Sequence, residues 1–136
     1  MRTILGLTLL FISVCGLQAQ NGWNWPEDKA TAEEKNVMYT DSYRQGDYST
    51  ALGPLAWLHT NAPDLNPSIY INGAKIYEGL ATKETDPAKK AEYQAKVLEM
   101  YDLRIKYFNE EAKVTNYKAS SAYKFYRGNK EKYAET

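Results

Sequence analysis

Residues 46–77 read GDYSTALGPLAWLHTNAPDLNPSIYINGAKIY, and this stretch decides the fold. Gly46 and Asp47 form a helix stop and a turn, because glycine accepts positive φ and Asp bonds to nearby backbone. After them Tyr48, Ala51, Leu52, Leu55 and Leu58 recur at spacings of three and four, the pattern of a helix with one apolar face. Pro63 closes that helix by pushing the residue before it out of the α region. Asn66 then reads as an N-cap with Pro67 at the first helical position. The expectation is a helix ending near Gln45, a second over 48–61 and a third over about 67–82. Pro54 is the exception inside the second, and is expected to kink it or delay its regular start to about Leu55.

The pattern extends in both directions. Upstream, Thr31 and Glu34 fit a capping box, and Val37, Met38, Tyr39 and Tyr43 define a helix of about four turns. Downstream, Asp86-Pro87 opens a fourth helix of about 88–108, with Tyr93, Val97, Met100, Tyr101, Ile105 and Phe108 on its apolar side. Glu110 and Glu111 suit the positive end of a fifth helix. It carries Val114, Tyr117, Ala119, Ala122, Tyr123 and Tyr126 and ends at Gly128-Asn129. Residues 130–136 read as the first turn of a sixth.

The 136 residues allow one modest domain or a few short repeats. At the N-terminus, Arg2, the apolar run Ile4–Val14 and Leu17-Gln18-Ala19 fit a signal peptide over 1–19, cleaved before Gln20. An uncleaved anchor and a lipoprotein bearing lipid on Cys15 are the rivals, though Val14 is bulky for the latter. Cleavage would remove Arg2 and the single cysteine, leaving 16 Lys and Arg against 17 Asp and Glu, a formal charge of −1. A balanced surface gives no electrostatic footprint for nucleic acid, and without cysteine there is no thiol chemistry. The mature protein is expected in the periplasm or at the outer membrane, with no transmembrane segment. Residues 20–31 form a polar leader carrying Trp23 and Trp25, which either tag a partner or fold back over the end of the first helix.

Spacing shows a repeat. Tyr39 and Gly73 stand 34 residues apart, as do Tyr43 and Tyr77. Gly73 to Ala119 and Tyr77 to Tyr123 are each 46 apart, which equals 34 plus an insertion of 12 near 82–92. Gly46-Asp47-Tyr48, Ala51, Pro63 and Gly73 together resemble the tetratricopeptide (TPR) family, whose helix hairpin has this period. They match its inter-helix turn, the small residue of its second helix, its closing proline and the small residue of its first helix. Departures are Lys35 and Ile69 at the family's tryptophan, Val97 at its second-helix alanine and Asn109 at its closing proline. The register of the fourth helix is ambiguous by one, since Tyr48 to Tyr93 is 45. The resemblance implies an all-α fold of antiparallel hairpins stacked as an α-solenoid. It divides the chain into a first repeat over 32–65, a second over 66–109 and a partial third over 110–136. Such hairpins need neighbours to cover their faces, so the array reads as incomplete, or as completed by self-association through the third repeat.

Catalytic signatures are lacking. His59 is the only histidine, adjacent Glu33-Glu34 and Glu110-Glu111 point to different helix sides, and neither a phosphate loop nor a nucleophile elbow occurs. No enzyme activity and no cofactor are expected. The resemblance instead implies that Tyr43, Tyr77 and Tyr123 line a concave groove, with Asn36, Tyr70 and Asn116 earlier on that surface and Arg44, Glu78 and Lys124 beside the tyrosines. Core packing is the competing role for the three tyrosines. The function implied is a non-catalytic scaffold of the bacterial envelope that binds another protein or an extended peptide. The alternative is glycan binding, with Trp23, Trp25 and the tyrosines stacking on sugar rings.

Overall fold

The computed structural model describes residues 22–129 and 131–132. The expected signal peptide, including Cys15, and most of the expected sixth helix lie outside the described residues. The chain is all-α, with α1 (Lys29–Gln45), α2 (Tyr48–Asn61), α3 (Ser68–Lys83), α4 (Pro87–Phe108) and α5 (Glu111–Tyr126). Each helix packs antiparallel on the next in sequence, most extensively α3 on α4.

Local chemistry sets the boundaries. Gly46 sits at φ 75°, and its N–H donates to Tyr43 while Asp47 N–H donates to Ser42, which satisfies the last carbonyls of α1. Asp47 then caps α2 by accepting from Thr50 N–H at 3.2 Å, and Asp86 caps α4 by accepting from Lys89 N–H at 2.8 Å. Asn109 ends α4 in the left-handed region, φ 52°, where the TPR pattern has proline. Asn66 accepts from Ser68 N–H at 2.9 Å, so it does its capping work although α3 begins one residue later than expected.

Three expectations need correction. The cap of α1 is Asp28, whose carboxylate accepts from Thr31 N–H, so Thr31 lies within the first turn. The buried residues of α1 are Ala32 and Tyr39, whereas Val37 and Met38 are exposed. Finally, α2 starts at Tyr48, ahead of Pro54, so its regular start is not delayed to Leu55. The proline stands half-exposed beside exposed Gly53, on the open side of the helix, where the carbonyl it leaves unbonded need not be buried.

The core runs from Tyr39 on α1 through Leu55 and Leu58 on α2 and Ile69, Tyr70 and Ile76 on α3 to Val97 and Met100 on α4. Asn72 on α3 donates to the Tyr39 hydroxyl at 3.3 Å, tying the first helix to the third. The leader folds back, but onto the α2–α3 turn: Asn24 N–H donates to Leu65 O at 2.8 Å and Asn66 Nδ2 to Gly22 O at 2.9 Å. Trp23 and Trp25 stack on each other with ring centroids 5.2 Å apart and pack against the core.

Two glycines mark close approach. A Cβ at Gly73 would lie 2.8 Å from Met100 Sδ, and one at Gly79 would overlap the Tyr48 ring. Gly79→Ala is therefore expected to cost about 1–3 kcal/mol, because a ring is displaced as a unit. Gly73→Ala should cost less, since the thioether yields where the ring does not, the gain of about 1 kcal/mol in helix propensity being common to both. Urea denaturation of the two variants checks this ordering, and an equal or larger loss for Gly73→Ala would contradict it.

Candidate functional site: the cleft between the third, fourth and fifth helices

A cleft of about 340 Å³ opens between α3, α4 and α5. The α3 wall is Tyr70, Ile71, Ala74, Lys75 and Glu78, which one helix face presents together by their spacing of three and four. From α4 come Tyr101 and Arg104, and from α5 Lys113 and Tyr117. Glu78 also lines a neighbouring hollow of about 200 Å³ with Lys90, Gln94, Lys124 and Phe125. An ion pair from Lys124 to Glu78 spans α3 and α5 beside both hollows.

Arg104 is 8% exposed and forms the floor. Its Nε donates to Glu110 Oε2 at 2.7 Å, and Lys113 Nζ reaches Oε1 of the same carboxylate at 3.1 Å. The hydrogen bond from Arg104 is the main cause holding the Glu110 carboxyl below its usual range, with Lys113 adding to it. Lys118 to Asp102 at 2.9 Å gives a further tie between α4 and α5.

Tyr70 forms the back wall. Its ring lies between those of His59, 4.9 Å away and near parallel, and Tyr107, 6.0 Å away and parallel, with Phe108 edge-on at 6.1 Å. Its hydroxyl donates to Pro63 O at 2.8 Å, and burial pushes its pKa well above the normal tyrosine value. His59 places Nε2 3.3 Å from Ile69 O. Burial lowers its pKa, so the folded state resists protonation. The stability this confers is complete above the unfolded value near 6.5 and is lost as pH falls through the lower folded value. A lower Tm at pH 5.5 than at 7.5 is expected, in a window where carboxylates stay ionised. His59→Phe, which keeps the stack on Tyr70, should remove most of that difference. An undiminished difference in the variant would refute the assignment.

Of the nine residues expected in the groove, the structure gathers Tyr70, Glu78 and Lys124 around these hollows. Asn36, Tyr43 and Arg44 lie on α1: Tyr43 packs on Tyr48 with centroids 6.2 Å apart and Arg44 pairs with Asp41 at 3.5 Å. Asn36 Oδ1 is buried without a hydrogen-bond partner. Tyr77 faces Tyr93 of α4, centroids 6.3 Å apart, while Asn116 and Tyr123 are exposed. On α5 Val114 and Ala122 are buried and Phe125 is half-buried.

Sequence reasoning missed Ile71, Lys75, Tyr101, Arg104, Lys113 and Tyr117. A signal existed for Arg104, which continues the apolar face Val97, Met100, Tyr101 at helical spacing, and a charge on such a face invites a partner.

No family model matches the chain, and neither a curated protein nor a solved structure is significantly similar to it. Among the described residues no three His, Cys, Asp or Glu side chains gather as metal ligands, and no helix is long and apolar enough to cross a membrane.

Proposed function

We propose that this chain is a TPR-type helical scaffold of the bacterial envelope that binds an extended segment of another protein in the α3–α4–α5 cleft, without catalysis. The observation that carries the reading is the cleft itself, a concave site walled by Tyr70, Tyr101 and Tyr117 between successive antiparallel helices. Tyrosine combines apolar area with a hydroxyl at low entropic cost, which suits recognition of a peptide. The 34-residue spacing of Tyr39 to Gly73 and Tyr43 to Tyr77 supports the TPR-type architecture. The N-terminal sequence pattern supports export. The glycan reading draws less support, because Trp23 and Trp25 spend ring faces on each other and on the core.

Affinity capture from an extract of the source cells tests the proposal. The wild-type chain is compared with Tyr117→Ala, which removes a cleft wall, and Tyr123→Ala, which removes an equally exposed ring outside it. A protein retained by wild type and Tyr123→Ala but lost by Tyr117→Ala is the expected result. Retention by all three places binding elsewhere and ends the cleft reading.

A further inference from the structure

Charge in the cleft is unbalanced at its floor. Arg104 and Lys113 share one carboxylate, Glu110, and Lys75 adds a third cation on the α3 wall. Glu78, the acid of the lining, is paired with Lys124, which is not itself a lining residue. Arg104 spends Nε on Glu110, which leaves the Nη edge of its guanidinium to the cleft it lines. A guanidinium offers five donors in a fixed fork and matches a carboxylate with two parallel bonds. A low-dielectric floor strengthens that match relative to open water.

Depth selects the source of the carboxylate. Arg104 is 8% exposed, whereas Tyr117 at the rim is 57% exposed. A peptide backbone passing over the rim stays above the floor, but a side chain of two or three carbons reaches down to it. We infer that the cleft takes an acidic side chain, Glu or Asp, of the bound segment, with its carboxylate on the free edge of Arg104 and Lys75 and Lys113 beside it. This rests on the peptide-binding reading and adds which residue of the segment is gripped.

The test is an NMR titration of the ¹⁵N-labelled protein with three small probes: N-acetyl-glutamate methylamide, its glutamine counterpart and N-acetylglycine. The capped glutamate is expected to shift the Arg104 Nε–H and the amides of 74–78 and 113–117 saturably. The glutamine probe should bind about tenfold more weakly, for want of the charge. N-acetylglycine, whose carboxylate sits on the backbone, should also bind more weakly. Lys75→Gln, on the exposed wall, should weaken the capped glutamate several-fold while the Tm stays unchanged, whereas Arg104 variants risk the fold. Equal binding of the glutamine probe, tighter binding of N-acetylglycine, shifts confined to other residues, or indifference to Lys75→Gln overturns the inference. If a partner is captured through the cleft yet the capped glutamate has no advantage, this inference falls alone. If the capped glutamate binds as described but no capture depends on Tyr117, the peptide reading falls and the acid site stands.

Discussion

Tyr70→Ala is expected to lower the free energy of unfolding by about 3–5 kcal/mol, the cost of removing a buried aromatic ring. Tyr70 is 1% exposed and its ring is held on three sides by His59, Tyr107 and Phe108. Those partners come from α2 and α4, so the ring is the point where three helices meet and cannot be replaced by a small shift of one of them. The hydroxyl adds a separate contribution, because its loss leaves Pro63 O without its donor at the α2–α3 turn. Tyr70→Phe isolates that part, and is expected to cost about 1–2 kcal/mol, the usual value of one hydrogen bond with a partner left unsatisfied. Urea denaturation of wild type and both variants gives the two numbers. A loss below about 1 kcal/mol for Tyr70→Ala would mean that the surroundings collapse into the space, against the close packing expected of a core. Tyr70 is also the back wall of the cleft, so the Phe variant keeps the site's shape while the Ala variant does not. Binding measured in both therefore separates the ring's packing role from any contact through its hydroxyl.

The helix boundaries were legible because the residues that set them act within a few positions. Gly46, Asp47, Pro63 and Asp86-Pro87 each fix local backbone whatever packs nearby, and the structure places a helix end at each. The start of α1 was missed for an equally local reason: Asp28, three residues before Thr31, does the capping from inside the stretch that read as leader. The site was harder. Tyr70 and Glu78 lie on one face of a single helix, so their common side could be read from spacing. Lys113 and Tyr117 meet them only after α5 has docked on α4, which no local pattern of residues encodes.

Glu110→Ala is expected to destabilise the protein and to tighten carboxylate binding in the cleft, and the opposite signs share one cause. Glu110 takes Arg104 Nε and Lys113 Nζ on its two oxygens. Removing it leaves the Arg104 side chain, 10% exposed, without a counter-charge. Breaking one side of a buried ion pair costs about 3–5 kcal/mol, and Glu110, itself 22% exposed, puts this case at the lower end. Arg104→Met with Glu110→Ala should recover part of the loss, since an apolar side chain of similar length needs no partner there. The acid side of the argument follows from the depressed Glu110 carboxyl. Its contribution is present above the usual carboxylate value near 4.5 and is lost as pH falls through the lower folded value. The stability gap between wild type and Glu110→Ala should accordingly be widest near pH 7 and narrow towards pH 3. At neutral pH the freed Arg104 and Lys113 offer a ligand carboxylate the donors that Glu110 now occupies, so the capped glutamate should bind more tightly to the folded variant. A residue that merely props α5 against α4 would lower stability and binding together. Denaturation and probe titration on the same sample tell the two apart, and a loss of both quantities would show that Glu110 positions the helix rather than competing for the site.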